Sequence, residues 1–327
     1  MRVLLTGANG FVGSHLLEAL IAARIPTRVL LRASADRSFI EDRLAGVEVR
    51  TGSIMDPASL DTAMVGVTHV LHCAGCTKAL ETAGFFQVNQ SGTRNVVEAV
   101  NRLGHGVQRL LHVSSLAAGR PGTPDSPARE DDPPRPVSTY GRSKLAGEQE
   151  VRDHCRVVFT ILRPPAVYGP RDREFLKLFK TVKAHLQPDP GAGRQALSLS
   201  FVSDLAAAAL ACLLHPKAGG RTYYSVSTPA VTAGEMAGEM ARLMQVSTLR
   251  LPLPTAIFWP LCALAEIQAR LTRRPNVLSL QKYAEIRAPG WVCDGSRIQA
   301  ELGPLPATPL TAGLALTWAA YRKAGWS

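Results

Sequence analysis

Thr6-Gly7-Ala8-Asn9-Gly10-Phe11-Val12-Gly13 joins an apolar β-type run, Arg2 to Thr6, to an apolar-periodic stretch, Phe11 to Ala23, through glycines three residues apart. Glycine permits a tight turn there and lets backbone N–H groups approach an anion, whose charge the following helix N-terminus stabilises. Placed directly after the first strand, this β-turn-α unit predicts a dinucleotide site bounded by Gly7, Asn9, Gly10, Phe11 and Val12. An ordinary glycine turn is the plainer alternative.

Outward from this unit the same alternation continues. Strands are expected at Thr27 to Leu31, Val47 to Arg50, His69 to Cys73, Arg109 to Ser114 and Val157 to Leu162. Helices are expected from Pro57, over Phe86 to Leu103, over Thr139 to His154 and over Glu174 to His185. Strands alternating with helices imply an α/β fold, a doubly wound parallel Rossmann sheet covered on both faces. We place this domain at residues 1–185. A smaller mixed, mainly helical substrate lobe, interleaved with it, is expected over 186–327. The proline-rich, charged segment Gly119 to Val137 reads as a surface loop at a strand end, beside the site.

With 327 residues, 46% hydrophobic and 19% charged, the chain can bury a large core, and disorder is excluded. The formal charge of +11 attracts nucleotide cofactors, nucleic acids and acidic lipids alike. Nucleic acid is not an expected partner, because the basic residues are scattered rather than gathered with aromatics on one element. Six spread cysteines read as reduced thiols; Cys73 and Cys76 form a C-x-x-C without a second ligand pair, so no metal is expected. The first strand starts within a few residues of Met1, leaving no room for a signal peptide, and the cytoplasm is the expected location. Leu251 to Ala265 is apolar but broken by Pro252, Pro254 and Pro260, and is shorter than the roughly 20 residues of a spanning helix.

NAD-selective sites place a carboxylate at the end of the second strand to accept the ribose hydroxyl. Arg32 stands at that point, and Arg37 follows as a second cation. A guanidinium can clamp a 2′-phosphate bidentately, so NADP is favoured over NAD. The alternative is a solvated arginine with Asp36 reaching the ribose. Tyr140 and Lys144 lie four apart at a helix start, on one face. A phenol titrating near 10 needs a neighbouring cation before it exchanges protons with an alcohol or ketone near neutral pH, and Lys144 can supply that charge. A chance pairing of two common surface residues remains the alternative. Ser115 ends the fifth strand, where a hydroxyl could polarise a carbonyl.

Taken together, TGANGFVG (6–13), HCAG (72–75), NQSGTRN (89–95), VSS (113–115), YGRSK (140–144) and RPPAVYGP (163–170) resemble the extended short-chain dehydrogenase/reductase family over nearly the whole chain. That family includes nucleotide-sugar epimerases and dehydratases, dihydroflavonol reductases and 3β-hydroxysteroid dehydrogenases. The resemblance implies that Tyr140 is the general acid/base, that Lys144 lowers its pKa and holds the nicotinamide ribose, and that Ser115 bonds the reacting oxygen. Ser114 is the alternative to Ser115, because two adjacent serines leave the register open by one. It further implies that Ser53, Ile54, Cys73, Ala74, Gly75, Pro164 and Val167 line the cofactor pockets, and that Arg32 matches the phosphate arginine of the reductase branch. A homodimer follows by the same analogy alone.

Two departures narrow the reading. Ser53 stands where the family commonly has aspartate, and Ser-Ser-Leu-Ala-Ala-Gly (114–119) lacks the Val-Tyr-Gly frequent in sugar-nucleotide enzymes. Beyond Leu251, the residues Ile257, Phe258, Trp259, Leu261, Leu264 and Ile267 form an apolar helix, followed by Arg270, Arg273 and Arg274. It reads either as core packing or as a greasy entrance that meets a membrane peripherally. The expected activity is hydride transfer between NADP(H) and a secondary alcohol or ketone of a small hydrophobic substrate, 3β-hydroxysteroid-like or flavonol-like. The alternatives are a nucleotide-sugar epimerase or dehydratase with bound NAD, and a non-catalytic cofactor sensor.

Overall fold

In the computed structural model the description covers residues 1–326 except 104, 105, 191, 192, 194, 227, 274, 275, 277 and 278. The first half alternates β1 (Val3–Thr6), α1 (Phe11–Ala22), β2 (Thr27–Leu31), β3 (Glu48–Thr51), α2 (Pro57–Met64), β4 (His69–His72), α3 (Thr82–Phe86), α4 (Gly92–Arg102), β5 (Arg109–Val113), α5 (Thr139–His154) and β6 (Val158–Arg163). The second half holds β7 (Ala166–Tyr168), α6 (Arg173–Lys183), β8 (Leu186–Pro190), β9 (Ala196–Leu197), β10 (Leu199–Phe201), α7 (Val202–Leu214), β11 (Thr222–Tyr224), β12 (Val231–Thr232), α8 (Ala233–Met244), β13 (Leu249–Leu253), α9 (Phe258–Thr272), α10 (Leu280–Ile286), α11 (Ser296–Leu302) and α12 (Leu310–Lys323).

Seven parallel strands form the central sheet in the order β11-β6-β5-β4-β1-β2-β3. Val3, Leu4 and Leu5 are fully buried, as a central parallel strand covered on both faces requires. Leu16, Leu17 and Leu20 of α1 pack with Leu205, Ala209 and Leu213 of α7 on one face. Leu60 of α2, Val96 and Val100 of α4 and Val151 of α5 cover the other. The strand order reverses between β1 and β4, so their C-terminal ends frame the crevice where such sheets bind ligands.

Residues 202–224 lie beyond the expected boundary near 185, yet α7 and β11 complete the sheet and its cover. The second lobe has a core of its own, built from Tyr168, Phe179, Phe201, Met236, Met240, Leu314 and Tyr321. Two elements are interrupted. The helix expected over Phe86 to Leu103 contains a π turn at Gln87–Ser91, which sets the buried Asn89 among polar partners. The extended run Ala196 to Phe201 divides at Ser198, whose hydroxyl accepts from the Cys293 amide at 3.1 Å. β9 then pairs antiparallel with β12, and β10 parallel with β7.

Candidate active site

The glycine turn is a backbone-to-backbone contact. Gly7 has φ +76°, and a Cβ there would lie 2.7 Å from the Ala74 nitrogen beyond β4; one at Gly13 would lie 1.9 Å from the Gly7 carbonyl oxygen. Gly10 caps α1 without a side chain, and no acidic residue occupies the first turn. The first-turn amides are therefore left to an external anion, and the turn fits a dinucleotide pyrophosphate. Phe11 and Val12 supply that first turn. Asn9 donates to the Asp36 carbonyl at 3.2 Å, tying the turn to the loop after β2.

Arg32 follows β2 directly, exposed, and forms no ion pair among the described residues; Arg37 lies half-buried five residues on. The Asp36 carboxylate accepts from the Ser38 amide at 2.9 Å, and this bond holds its pKa below the usual carboxylate range. Ser53 is turned into its own loop, its hydroxyl accepting from the Met55 amide at 3.1 Å. Ile54 is buried against Gly92, where a Cβ would come within 2.6 Å of it. After β4, the Cys73 and Ala74 amides donate to the Thr6 carbonyl (3.3 Å) and hydroxyl (3.2 Å). Gly75 faces Lys144: a Cβ on it would stand 3.8 Å from Nζ. Pro164, just past β6, accepts from the Leu116 amide at 2.8 Å, and Val167 of β7 packs on the sheet core.

Helix α5 starts at Ser138, whose hydroxyl accepts from the Gly141 amide at 3.0 Å. Tyr140, Lys144 and Glu148 succeed each other at i, i+4 and i+8 on one face. Tyr140 is hydrogen-bonded to Ser115 and meets the Phe85 ring edge-on at 6.4 Å. Lys144 donates to the Val113 carbonyl at 2.8 Å. Glu148 receives Arg163 in two parallel bonds, at 2.8 and 2.7 Å, and the Ser114 hydroxyl at 2.6 Å. The adjacent serines are thus separated in role: Ser115 joins Tyr140, whereas Ser114 is committed to the buried Glu148–Arg163 pair. The structure does not bring Ser114 to the reacting position.

A second correction concerns the phenol. Lys144 was expected to lower the Tyr140 pKa, but burial dominates and pushes it up to about 12, opposed by the Ser115 bond. Burial likewise pulls Lys144 down to about 8. Near neutral pH the site therefore holds a protonated phenol, the form that donates a proton to a ketone oxygen.

This arrangement predicts the pH dependence of reduction. Lys144 loses its charge as pH rises through about 8, while Tyr140 keeps its proton to about 12. The value of kcat/KM for the reduced cofactor, which reports free-enzyme groups, should be level near neutrality and decline above about pH 8. A profile level through pH 10 would show that the charge on Lys144 is not required.

Three participants escaped sequence reasoning. Asn89 donates to the Cys76 carbonyl (2.9 Å) and Ser143 hydroxyl (2.8 Å) and accepts from the Cys76 amide (2.7 Å), holding the loop after β4. It lies in the quoted NQSGTRN run, but a π turn leaves no readable period. Glu148 had a signal in its spacing from Tyr140 and Lys144. Glu285 of α10 acts on Tyr140 electrostatically from 145 positions away in the chain, raising its pKa, and nothing local marked it. Among the described residues no group of three or more His, Cys, Asp or Glu gathers as a metal site.

Comparison with known proteins decides the family. Residues 3–226 match the NAD dependent epimerase/dehydratase family. The chain belongs to that family. It is an enzyme of the extended short-chain dehydrogenase/reductase type, as the ordered motifs implied. It is 33% identical over 324 residues to the ceramide reductase of Caulobacter vibrioides (strain NA1000 / CB15N), covering 99% of this chain and 95% of the relative. It is 27% identical to a UDP-glucose 4-epimerase of Vibrio cholerae, over 83% of this chain and 85% of the relative. Among solved structures, the Bordetella bronchiseptica enzyme WbmG in complex with NAD superposes with a TM-score of 0.79 at 25% identity, covering 100% of this chain and 96% of that one. The family description names NAD, the WbmG structure contains it, and the glycine turn of this member fits such a cofactor.

Proposed function

We propose that this family member reduces a ketone on a lipid-like hydrophobic substrate with hydride from NADPH. The observation that carries the reading is the extent of the likeness to the ceramide reductase, which runs over 99% of the chain. It therefore includes the lobe beyond residue 226, where the family match stops. Two further observations support it: Glu285 of α10 acts electrostatically on Tyr140, and the neighbouring helix α9 is largely apolar. Steroid-like and flavonol-like ketones are the other hydrophobic candidates.

The bound cofactor supplies the hydride. The protein's own residues do the rest. The amides of the glycine turn would hold the pyrophosphate, Arg32 and Arg37 the 2′-phosphate, and Lys144 the nicotinamide ribose. Ser115 would orient the ketone oxygen through its hydroxyl. Tyr140, protonated at neutral pH, gives that oxygen its proton as the carbonyl is reduced. In alcohol oxidation the same phenol would have to take the proton back, a task that its burial disfavours.

The test is a titration with NADPH and NADH, followed by nicotinamide fluorescence, for wild type and Arg32→Glu. Wild type should prefer NADPH by at least about tenfold, roughly 1.4 kcal/mol, and the variant should lose the preference. NADPH-dependent reduction of a long-chain keto-amide lipid in detergent completes it. The second reading, a nucleotide-sugar epimerase with resident NAD, is favoured by the epimerase relative and by the NAD in the neighbouring structure. Release of tightly bound NAD on denaturation, with NADH bound as well as NADPH, would replace the first reading by the second. The assembled Tyr140, Ser115 and Lys144 argue against a sensor without catalysis.

A further inference from the structure

Helix α9 has two apolar faces. Phe258, Cys262, Ala265 and Ala269, spaced i, i+4, i+7 and i+11, include both buried residues of the helix and mark its inward side. Pro260, Leu264, Ile267 and Leu271 repeat the same spacing on the opposite side. There Leu264 is 63%, Ile267 55% and Leu271 81% exposed, with Trp259 (54%) on the flank near the helix start. Beyond Phe258 at the helix start, small side chains thus line the inward side, while leucine and isoleucine stand on the outward row. A helix apolar on both sides is normally covered on both, so the outward row needs an occupant.

We propose that this outward face of α9 docks on an anionic phospholipid bilayer. Charge selects that occupant. Residues 249–290 hold six arginines and lysines against two glutamates, a net charge of +4 within a chain of +11. Arg270 flanks the apolar row and Arg273 closes the helix, both exposed; Arg274 lies outside the described residues. Apolar side chains in a row, a tryptophan at the edge and basic residues beside them are the composition of a helix lying in a lipid interface. A second copy of the chain fits less well, because it brings another +11 to the same surface. Among the described residues no helix is long and apolar enough to cross a membrane, so the contact is peripheral.

The docked helix is continuous with the site. α9 packs on α10, whose Glu285 acts electrostatically on Tyr140. Docking would hold this side of the catalytic centre near the bilayer from which a lipid ketone is drawn. The purpose of docking rests on the proposed lipid substrate; the docking itself is read out without any substrate.

Co-sedimentation of the full chain with vesicles of phosphatidylcholine, pure or mixed with roughly 30% phosphatidylglycerol, provides the test. Wild type should sediment with the mixed vesicles and far less with the neutral ones. Leu264→Glu/Ile267→Glu should lower the vesicle-bound fraction at least about tenfold, and Arg270→Glu/Arg273→Glu should remove the preference for anionic lipid. Both variants should bind NADPH like wild type. Wild type remaining in solution with mixed vesicles would overturn the proposal, as would unchanged binding by the leucine/isoleucine variant. A halved solution mass in that variant would assign the face to a second copy instead. If vesicle binding holds but no hydrophobic ketone is reduced, the substrate reading fails and the docking face stands.

Discussion

Tyr140→Phe should lower kcat for ketone reduction by about a thousandfold, within the range spanned by general acid catalysis, and change NADPH affinity by less than threefold. The substitution removes one oxygen and keeps the ring, so the edge contact with Phe85 survives. What disappears is the proton that burial retains on the phenol and the bond to Ser115. Ser115→Ala should cost less, because the phenol still carries its proton when the substrate oxygen is held less well. Single-turnover rates with saturating NADPH separate these effects from cofactor binding. A Tyr140→Phe enzyme within tenfold of wild type would remove the phenol from the mechanism and favour the non-catalytic reading.

The largest stability effect is expected two helical turns further along α5. Glu148→Leu leaves Arg163 buried and unpaired, and the loss of one partner from a buried ion pair costs about 3–5 kcal/mol. The melting temperature should fall by roughly 10 °C. Ser114 loses its acceptor in the same step, and among the described residues Arg163 keeps only the Tyr224 hydroxyl as a hydrogen-bond partner, at 3.3 Å. Glu148→Leu/Arg163→Met should recover most of the loss, because removing both charges removes the uncompensated one. Glu148 also supports the charge on Lys144, so the single variant should move the alkaline decline of kcat/KM to lower pH. Equal destabilisation by the single and double variants would mean that packing volume, not charge, is what the pair supplies.

The pair explains how the site is held. It links α5 to the ends of β5 and β6, and through Tyr224 to β11. The strand-end serines and the helix bearing Tyr140 are thereby fixed to each other. Lys78, in the loop after β4, is tied to Glu174 of α6 at 2.5 Å, so the substrate lobe also braces the cofactor side of the crevice.

Much of this was legible in the chain because its causes are local. A glycine turn between a strand and a helix is set by backbone sterics within eight residues, and the order of strands and helices by hydrophobic period. The i, i+4 spacing of Tyr140 and Lys144 follows from helix geometry alone. Arg32 at the end of β2 is a matter of position in the chain, and the structure leaves it without an ion pair among the described residues.

Other features depend on groups far apart in sequence, and only the tertiary structure decided them. Ser115 rather than Ser114 meets Tyr140 because Glu148, itself paired with Arg163, takes Ser114 from the other side. The phenol titrates high rather than low because burial, a property of the assembled site, outweighs the bond from Ser115. Asn89 required a π turn that leaves no period, and residues 222–224 joined the Rossmann sheet because β6 offered an edge some 60 residues earlier in the chain. Leu264 and Ile267 read as part of an apolar helix that could be either core or a membrane-facing entrance; which side of it faces outward was settled by what packs against the opposite side. Local sterics and period are carried by neighbours in the chain, whereas burial, charge pairing and exposure are relations between segments that meet only when the chain has folded.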